Sequence, residues 1–305
     1  MPIRIPDHLP ARKTLEEEGV VVMDSTRAAR QDIRPLKIGL LNLMPNKERT
    51  ETQFSRLIGA TPLQVDLTLV RVTDHKSKHT SEDYLKTFYS TWEEVRQEKF
   101  DGFIVTGAPI AHMPFTEVRY WPEMIDIMNW TQTHVHRTMF ICWGAQAALH
   151  HFHGVRRVRL PQKAFGVFRH EIVAPHSAWL HGFSDGPLVP VSRYNDIDRA
   201  SLNADLTVLI DNAEIGICML DDPKHRAVHM LNHLEYDNRS LADEYDRDVK
   251  AGLSPALPVN LYPNDDPSIE PENRWRSHAH LLFQNWINEI YQTTPYELGK
   301  VGEAG

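Results

Sequence analysis

The sequence predicts an α/β fold built on a parallel, doubly wound sheet flanked by helices, with ligands bound at the carboxyl ends of the strands. Two observations carry this. Between residues 36 and 154, short apolar runs alternate with segments of helical period. Within that span, "RTMFICWGAQAALHHFHG" (137–154) passes from an apolar run ending at Ile141 straight into helical spacing at Ala145, Ala148, Leu149 and Phe152.

The elements follow in order. "LKIGLLNLMPN" (36–46) reads as a buried strand ended by Pro45, and "ERTETQFSRLIGA" as a helix with Phe54, Leu57 and Ile58 on one face. "LQVDLTLVRV" (63–72) alternates as a strand does. "SEDYLKTFYSTWEEVRQEKF" reads as one or two helices, with Thr80 and Asp83 as a weak capping box. "DGFIVTGAP" (101–109) is a short strand entering a turn at Gly107, and "VRYWPEMIDIMNWTQTHV" is helical after Pro122. Beyond Gly154 the pattern changes to strand-like "GVFRHEIV", "LTVLI", "EIGICML" and "RAVHML", with turns at Asn212 and at Asp221–Asp222–Pro223. A helix at "SLADEYDRDVKAG", a loop from Ser254 to Asn273 with five prolines, and a last helix "WRSHAHLLFQNWINEIY" complete the chain. No stretch reads as a linker, so a single α/β domain over 1–305 with loop elaborations is expected.

Bulk properties exclude several classes. The 305 residues carry a formal net charge of −8, which argues against binding nucleic acid through its phosphate backbone. No apolar run approaches the ~20 residues needed to span a bilayer, so no membrane role is expected. The first residues have no signal-peptide core, which makes the cytoplasm the expected location. Two cysteines cannot build a disulfide framework, so both are read as free thiols.

Cys142 lies at the strand-to-helix joint. A nucleophilic cysteine needs a histidine or a helix N-terminus beside it, and the joint supplies the second. Gly144 lets helix and strand approach, as in a nucleophile elbow, whereas Phe140 departs from the G-x-C-x-G form. Read alone, Cys142 is equally well a buried filler residue. Cys218, among apolar neighbours in "IGICML", reads as filler.

"MLNHLEYD" offers a partner. His233 and Glu235, at i and i+2 after a strand, share one side of an extended chain, so the glutamate can orient the imidazole. Seventeen histidines make chance pairing common, and a plain surface turn is the competing reading. The run His150, His151 and His153 has no acidic or cysteine partner at ligand spacing, so no metal is expected there. "DHKSKH" (74–79) reads as a solvated loop. "TGAP" (106–109) is no phosphate cradle but can present backbone N–H groups to an oxyanion.

Taken together, the chain resembles the homoserine O-acyltransferases of the homoserine O-succinyltransferase type. The resemblance runs from "MPIRIPDHLP" through "IRPLKIGLLNLMPNK", "FDGFIVTGAP" and "FICWGAQAAL" to "SRY", "HLEYD" and "WRSHAHLLFQNW". It implies a flavodoxin-like fold related to class I glutamine amidotransferases. It also implies a step of methionine biosynthesis with Cys142 as acyl-thioester nucleophile, His233 as general base and Glu235 as its partner. Lys163, Ser192 and Arg247 match substrate-binding positions, and Ala111 matches the position that helps select the acyl group. There, glutamate goes with acetyl donors and glycine with succinyl donors; small, uncharged alanine points to succinyl, although "MPF" (113–115) resembles the acetyl type. Asn232 and Leu234 stand where the family motif has glycine and proline. No cofactor is expected beyond acyl-coenzyme A as co-substrate. The expected partners are acyl-coenzyme A and L-homoserine, with a homodimer left open. A glutamine amidotransferase, a non-catalytic redox sensor and a serine-accepting enzyme are the rival readings.

Overall fold

The computed structural model describes residues 3–6, 8–18, 22–23, 34–73 and 80–302. The loop read at 74–79 lies outside them. The strands are β1 (Ile3–Arg4), β2 (Val22–Met23), β3 (Leu36–Leu41), β4 (Val65–Arg71), β5 (Ser90–Thr91), β6 (Phe100–Val105) and β7 (Val135–Ile141), followed by β8 (Arg157–Arg169), β9 (Glu171–Ile172), β10 (Leu188–Ile197), β11 (Thr207–Asp211), β12 (Met219–Asp222) and β13 (Ala227–Met230). Among the described residues, eleven of them form one sheet in the order β2-β1-β4-β3-β6-β7-β13-β12-β11-β9, with β5 on β4. Pairing is parallel from β2 through β13 and antiparallel from β13 to β9. This is the mostly parallel sheet the alternation predicts.

Helices α1 (Ala11–Glu17), α2 (Lys47–Ile58), α3 (Glu82–Phe88), α4 (Trp92–Val95), α5 (Trp121–His134), α6 (Trp143–His153), α7 (Ser240–Lys250) and α8 (Arg276–Thr293) cover the sheet. Strand residues alternate between its faces. Ile38, Leu40, Ile104, Met139 and Ile141 pack with Phe54 and Ile58 of α2 and with Phe283 and Trp286 of α8. Leu41, Phe103, Val105 and Phe140 pack with Met124 and Met128 of α5 and with Ala147 and Leu149 of α6. Both faces are buried, which is why these strands read as near-continuous apolar runs.

Three local expectations are corrected. β3 stops at Leu41, short of Pro45, because Asn42 and Leu43 turn their amides to the Val70 carbonyl and the Thr106 hydroxyl. The cap of α3 is Ser81, not Thr80; the capping box lies at Thr91 and Glu94, ahead of α4. Finally, β8 and β10 form a long antiparallel ribbon of which only the end, within "GVFRHEIV", reads as strand. Pro161, Pro190 and the charges along both segments hide the period from sequence reading.

Candidate active site

The site is assembled where parallel strands end side by side. β7 and β13 are neighbours, with Ile141 opposite Met230, so Cys142 and the loop at 231–235 emerge together. The Cys142 amide donates to the Met230 carbonyl at 2.7 Å. Cys142 has φ 50° and ψ −112°, a conformation that costs a non-glycine residue about 1–3 kcal/mol. That strain lifts the half-buried thiol out of the sheet at the N-terminus of α6. The turn does not need a glycine at Phe140, whose ring is buried and stacked on His229 at 5.4 Å. Gly144, in contrast, is required: a Cβ there would lie 2.8 Å from the Thr106 carbonyl oxygen and 3.0 Å from that of Val105. Gly107 is less tightly held: its Cβ would lie 3.1 Å from Cys142 Cβ and in ordinary contact, 3.8 Å, with His233 Cε1.

His233 is buried, and its Nδ1 donates to Glu235 Oε1 at 2.6 Å. The ring and the Cys142 sulfur border the same point, 3.8 Å and 3.6 Å from where a Cβ on Gly107 would lie. Burial alone would lower its pKa, but the Glu235 carboxylate and the Cys142 sulfur outweigh burial and raise it well above the ordinary histidine value. A ring so held is an imidazolium partner for a thiolate. Tyr236 stacks on it with centroids 4.2 Å apart. Cys218 is a buried filler residue, its thiol pushed up to about 12 by desolvation.

Asn232 and Leu234 receive other support than a glycine and proline would give. Asn232 Oδ1 accepts from Arg193 Nε at 3.1 Å, and its Nδ2 lies 3.1 Å from His170 Nε2. The His233 amide donates to the Pro190 carbonyl of β10. Leu234 is buried in the core shared with α8. Downstream, Asp237 is clamped by Arg49 at 2.5 Å and by Gln53 at 3.2 Å, both from α2.

The ribbon brings in Lys163 and Ser192. Lys163 Nζ donates to Glu244 Oε1 at 2.6 Å and Ser192 Oγ to the same oxygen at 2.9 Å, while Arg247 Nη2 lies 3.9 Å from it. The three positions thus gather around one carboxylate on α7, although Arg247 is largely exposed and bonds mainly to Asp248. A cleft of about 860 Å³ opens beside them, lined in part by Lys47, Tyr84, Pro109, Tyr236, Glu244 and Arg247. Lys47 is buried there, its pKa lowered to about 8 by desolvation. Ala111 lies two residues beyond Pro109, with its carbonyl accepting from Asn195 Nδ2 at 2.5 Å.

Sequence reading missed Glu244, Tyr236, Lys47 and Arg193. Glu244, at i−3 from Arg247 on one helix, was recoverable by spacing. Arg193 was not, because its partners come from three separate elements. The run His150, His151 and His153 has no acidic partner at ligand spacing in sequence, but the fold brings Asp222, 69 residues away in the chain, to bond His153.

With this geometry in view, the comparisons are specific. A family model described as homoserine O-succinyltransferase matches residues 2–296. The chain belongs to the homoserine O-succinyltransferase family. A homoserine O-succinyltransferase of Pelagibacterium halotolerans is 75% identical over 99% of both chains. Homoserine O-acetyltransferases of Rhizorhabdus wittichii and Brucella canis are 63% and 58% identical, over 99% of this chain and 95% and 100% of theirs. Among solved structures, a glutamine amidotransferase of Thermotoga maritima aligns with TM-score 0.51 at 13% identity, over 86% of this chain and 100% of its own. One from Methylobacillus flagellatus aligns with TM-score 0.53 at 10% identity, over 84% and 95%. At such identities the structures show the fold alone, a class I glutamine amidotransferase-like α/β sheet. No helix among the described residues is long and apolar enough to cross a membrane.

Proposed function

We propose that this family member transfers a succinyl group from succinyl-coenzyme A to the hydroxyl of L-homoserine, through a thioester on Cys142, in the pathway to methionine. The observation that supports it most is the Cys142–His233–Glu235 arrangement at the ends of β7 and β13. The thiolate, opposite the His233 imidazolium, attacks the thioester carbonyl. Backbone N–H groups near Ala108 and Trp143 receive the oxyanion; the Trp143 amide opens α6 and has no acceptor within the helix. As the tetrahedral adduct collapses, the C–S bond to coenzyme A breaks and the departing sulfur takes the His233 proton. Acylation removes the thiolate charge that helped hold that proton, so the neutral ring is now a base. Homoserine enters, its hydroxyl proton passes to His233, its oxygen forms the ester, and the Cys142 thiolate is restored.

The amino-acid carboxylate suits a guanidinium, whose planar fork binds it bidentately. Arg247 on the cleft wall fills this role by exchanging Asp248 for the substrate. Arg247→Ala therefore raises KM for homoserine by ~10-fold or more and leaves KM for the acyl donor nearly unchanged. Equal effects on both constants, measured by varying each substrate in turn, would make Arg247 structural.

The donor is tested by competition. With succinyl- and acetyl-coenzyme A at equal concentration, and homoserine or serine as acceptor, the main product identified by mass spectrometry is O-succinylhomoserine. Ala111→Glu shifts production toward O-acetylhomoserine, because the added carboxylate fills the pocket and repels the far carboxylate of a succinyl group. Mostly O-acetylhomoserine from the unaltered enzyme overturns the donor assignment. The relatives named for acetyl transfer, at 63% and 58% identity, make this a close contest. Release of ammonia from glutamine without acyl-coenzyme A turnover would instead favour an amidotransferase.

A further inference from the structure

At the strand ends opposite the candidate active site, where β12 turns into β13, three histidines surround one carboxylate. Asp222 ends β12, His225 lies in the turn that follows, His229 is on β13 and His153 closes α6. His153 Nε2 lies 2.6 Å from Asp222 Oδ2, His225 Nδ1 lies 3.0 Å from it, and His229 Nε2 lies 3.3 Å from it. His225 Nδ1 also lies 3.1 Å from Oδ1, which accepts from the His225 amide as well, so both oxygens of the carboxylate are engaged. The Asp222, His153 and His229 side chains are at most 1% exposed, whereas that of His225 is 15% exposed and gives an entry path. Imidazole nitrogens and a carboxylate gathered in one buried place are also a donor set that a small cation can unite.

We propose that His153 Nε2, His225 Nδ1 and the Asp222 carboxylate bind a divalent transition-metal ion of the zinc class. The three ligand atoms lie within 4.8 Å of one another. Two imidazoles and one carboxylate are a donor set of intermediate hardness that suits zinc, with water completing a tetrahedron. The rings are already held in place: His225 stacks on Phe152 at 4.3 Å and His229 on Phe140 at 5.4 Å. Outer contacts are present too. The other nitrogen of His153, Nδ1, lies 3.0 Å from Asn203 Nδ2. His229, fully buried, remains behind the carboxylate as its hydrogen-bond partner. Because α6 begins beside Cys142 and ends at His153, the ion staples the far end of the nucleophile helix to the β12–β13 turn. No step of acyl transfer passes through it.

The test uses the untagged, full-length protein, freed of metal by chelator and titrated with zinc chloride. One equivalent binds in competition with a chromogenic chelator, the thermal midpoint rises by at least ~3 °C, and cobalt(II) gives the intense visible bands of a tetrahedral site. His225→Ala removes all three signals. His151→Ala, on the same helix but outside the cluster, leaves binding unaltered. Zinc binding that is absent, or equal in the wild type and His225→Ala, overturns the site. Binding lost equally in His151→Ala overturns it as well.

Discussion

Cys142→Ala abolishes the burst of coenzyme A released when the enzyme meets acyl donor without amino acid, and lowers turnover by at least ~10³-fold. The effect is large because nothing nearby can replace the sulfur. Cys218 is buried, with its thiol pushed up to about 12. Cys142→Ser gives nearly the same result, since a hydroxyl in that place is far harder to ionise than a thiol. Both variants keep the native thermal midpoint to within a few degrees, because either side chain is compatible with the backbone already imposed at the joint. Mass spectrometry of the intact protein supplies the second readout, a covalent acyl adduct on the unaltered chain and none on either variant. Normal turnover in the alanine variant overturns the thioester mechanism.

His233→Ala lowers turnover by ~10²–10⁴-fold, the range for loss of a general base. It affects both half-reactions, because the same ring protonates the departing sulfur and deprotonates the acceptor. Glu235→Gln costs less, since the amide oxygen still accepts from Nδ1 while the charge is lost. With the carboxylate gone, the largest influence raising the His233 pKa is removed. Its titration, followed by ring-proton NMR, therefore moves to lower pH than in the unaltered enzyme. A His233→Ala enzyme with near-native activity removes the triad assignment, and an unmoved titration in Glu235→Gln removes the electrostatic role of Glu235.

Some of this was legible in the chain because it is written in local chemistry. Apolar runs between helical segments specify a sheet buried on both faces, since burying those side chains is the dominant favourable term of folding. The joint at Ile141–Gly144 is legible for the same reason: the period changes there, and Gly144 is needed where helix backbone meets the Thr106 carbonyl. His233 and Glu235, two residues apart, are close in any extended chain, so their contact needs no tertiary information. What the tertiary structure decided is everything that depends on strands distant in sequence lying side by side. Only the β7–β13 pairing brings His233 to Cys142, 91 residues apart in sequence. Only the β8–β10 ribbon gathers Lys163 and Ser192 onto Glu244, and only the β12–β13 turn closes His225 and Asp222 over His153. Such contacts form between groups that no periodicity relates, and their strength comes from burial and charge, which exist only once the chain has folded around them.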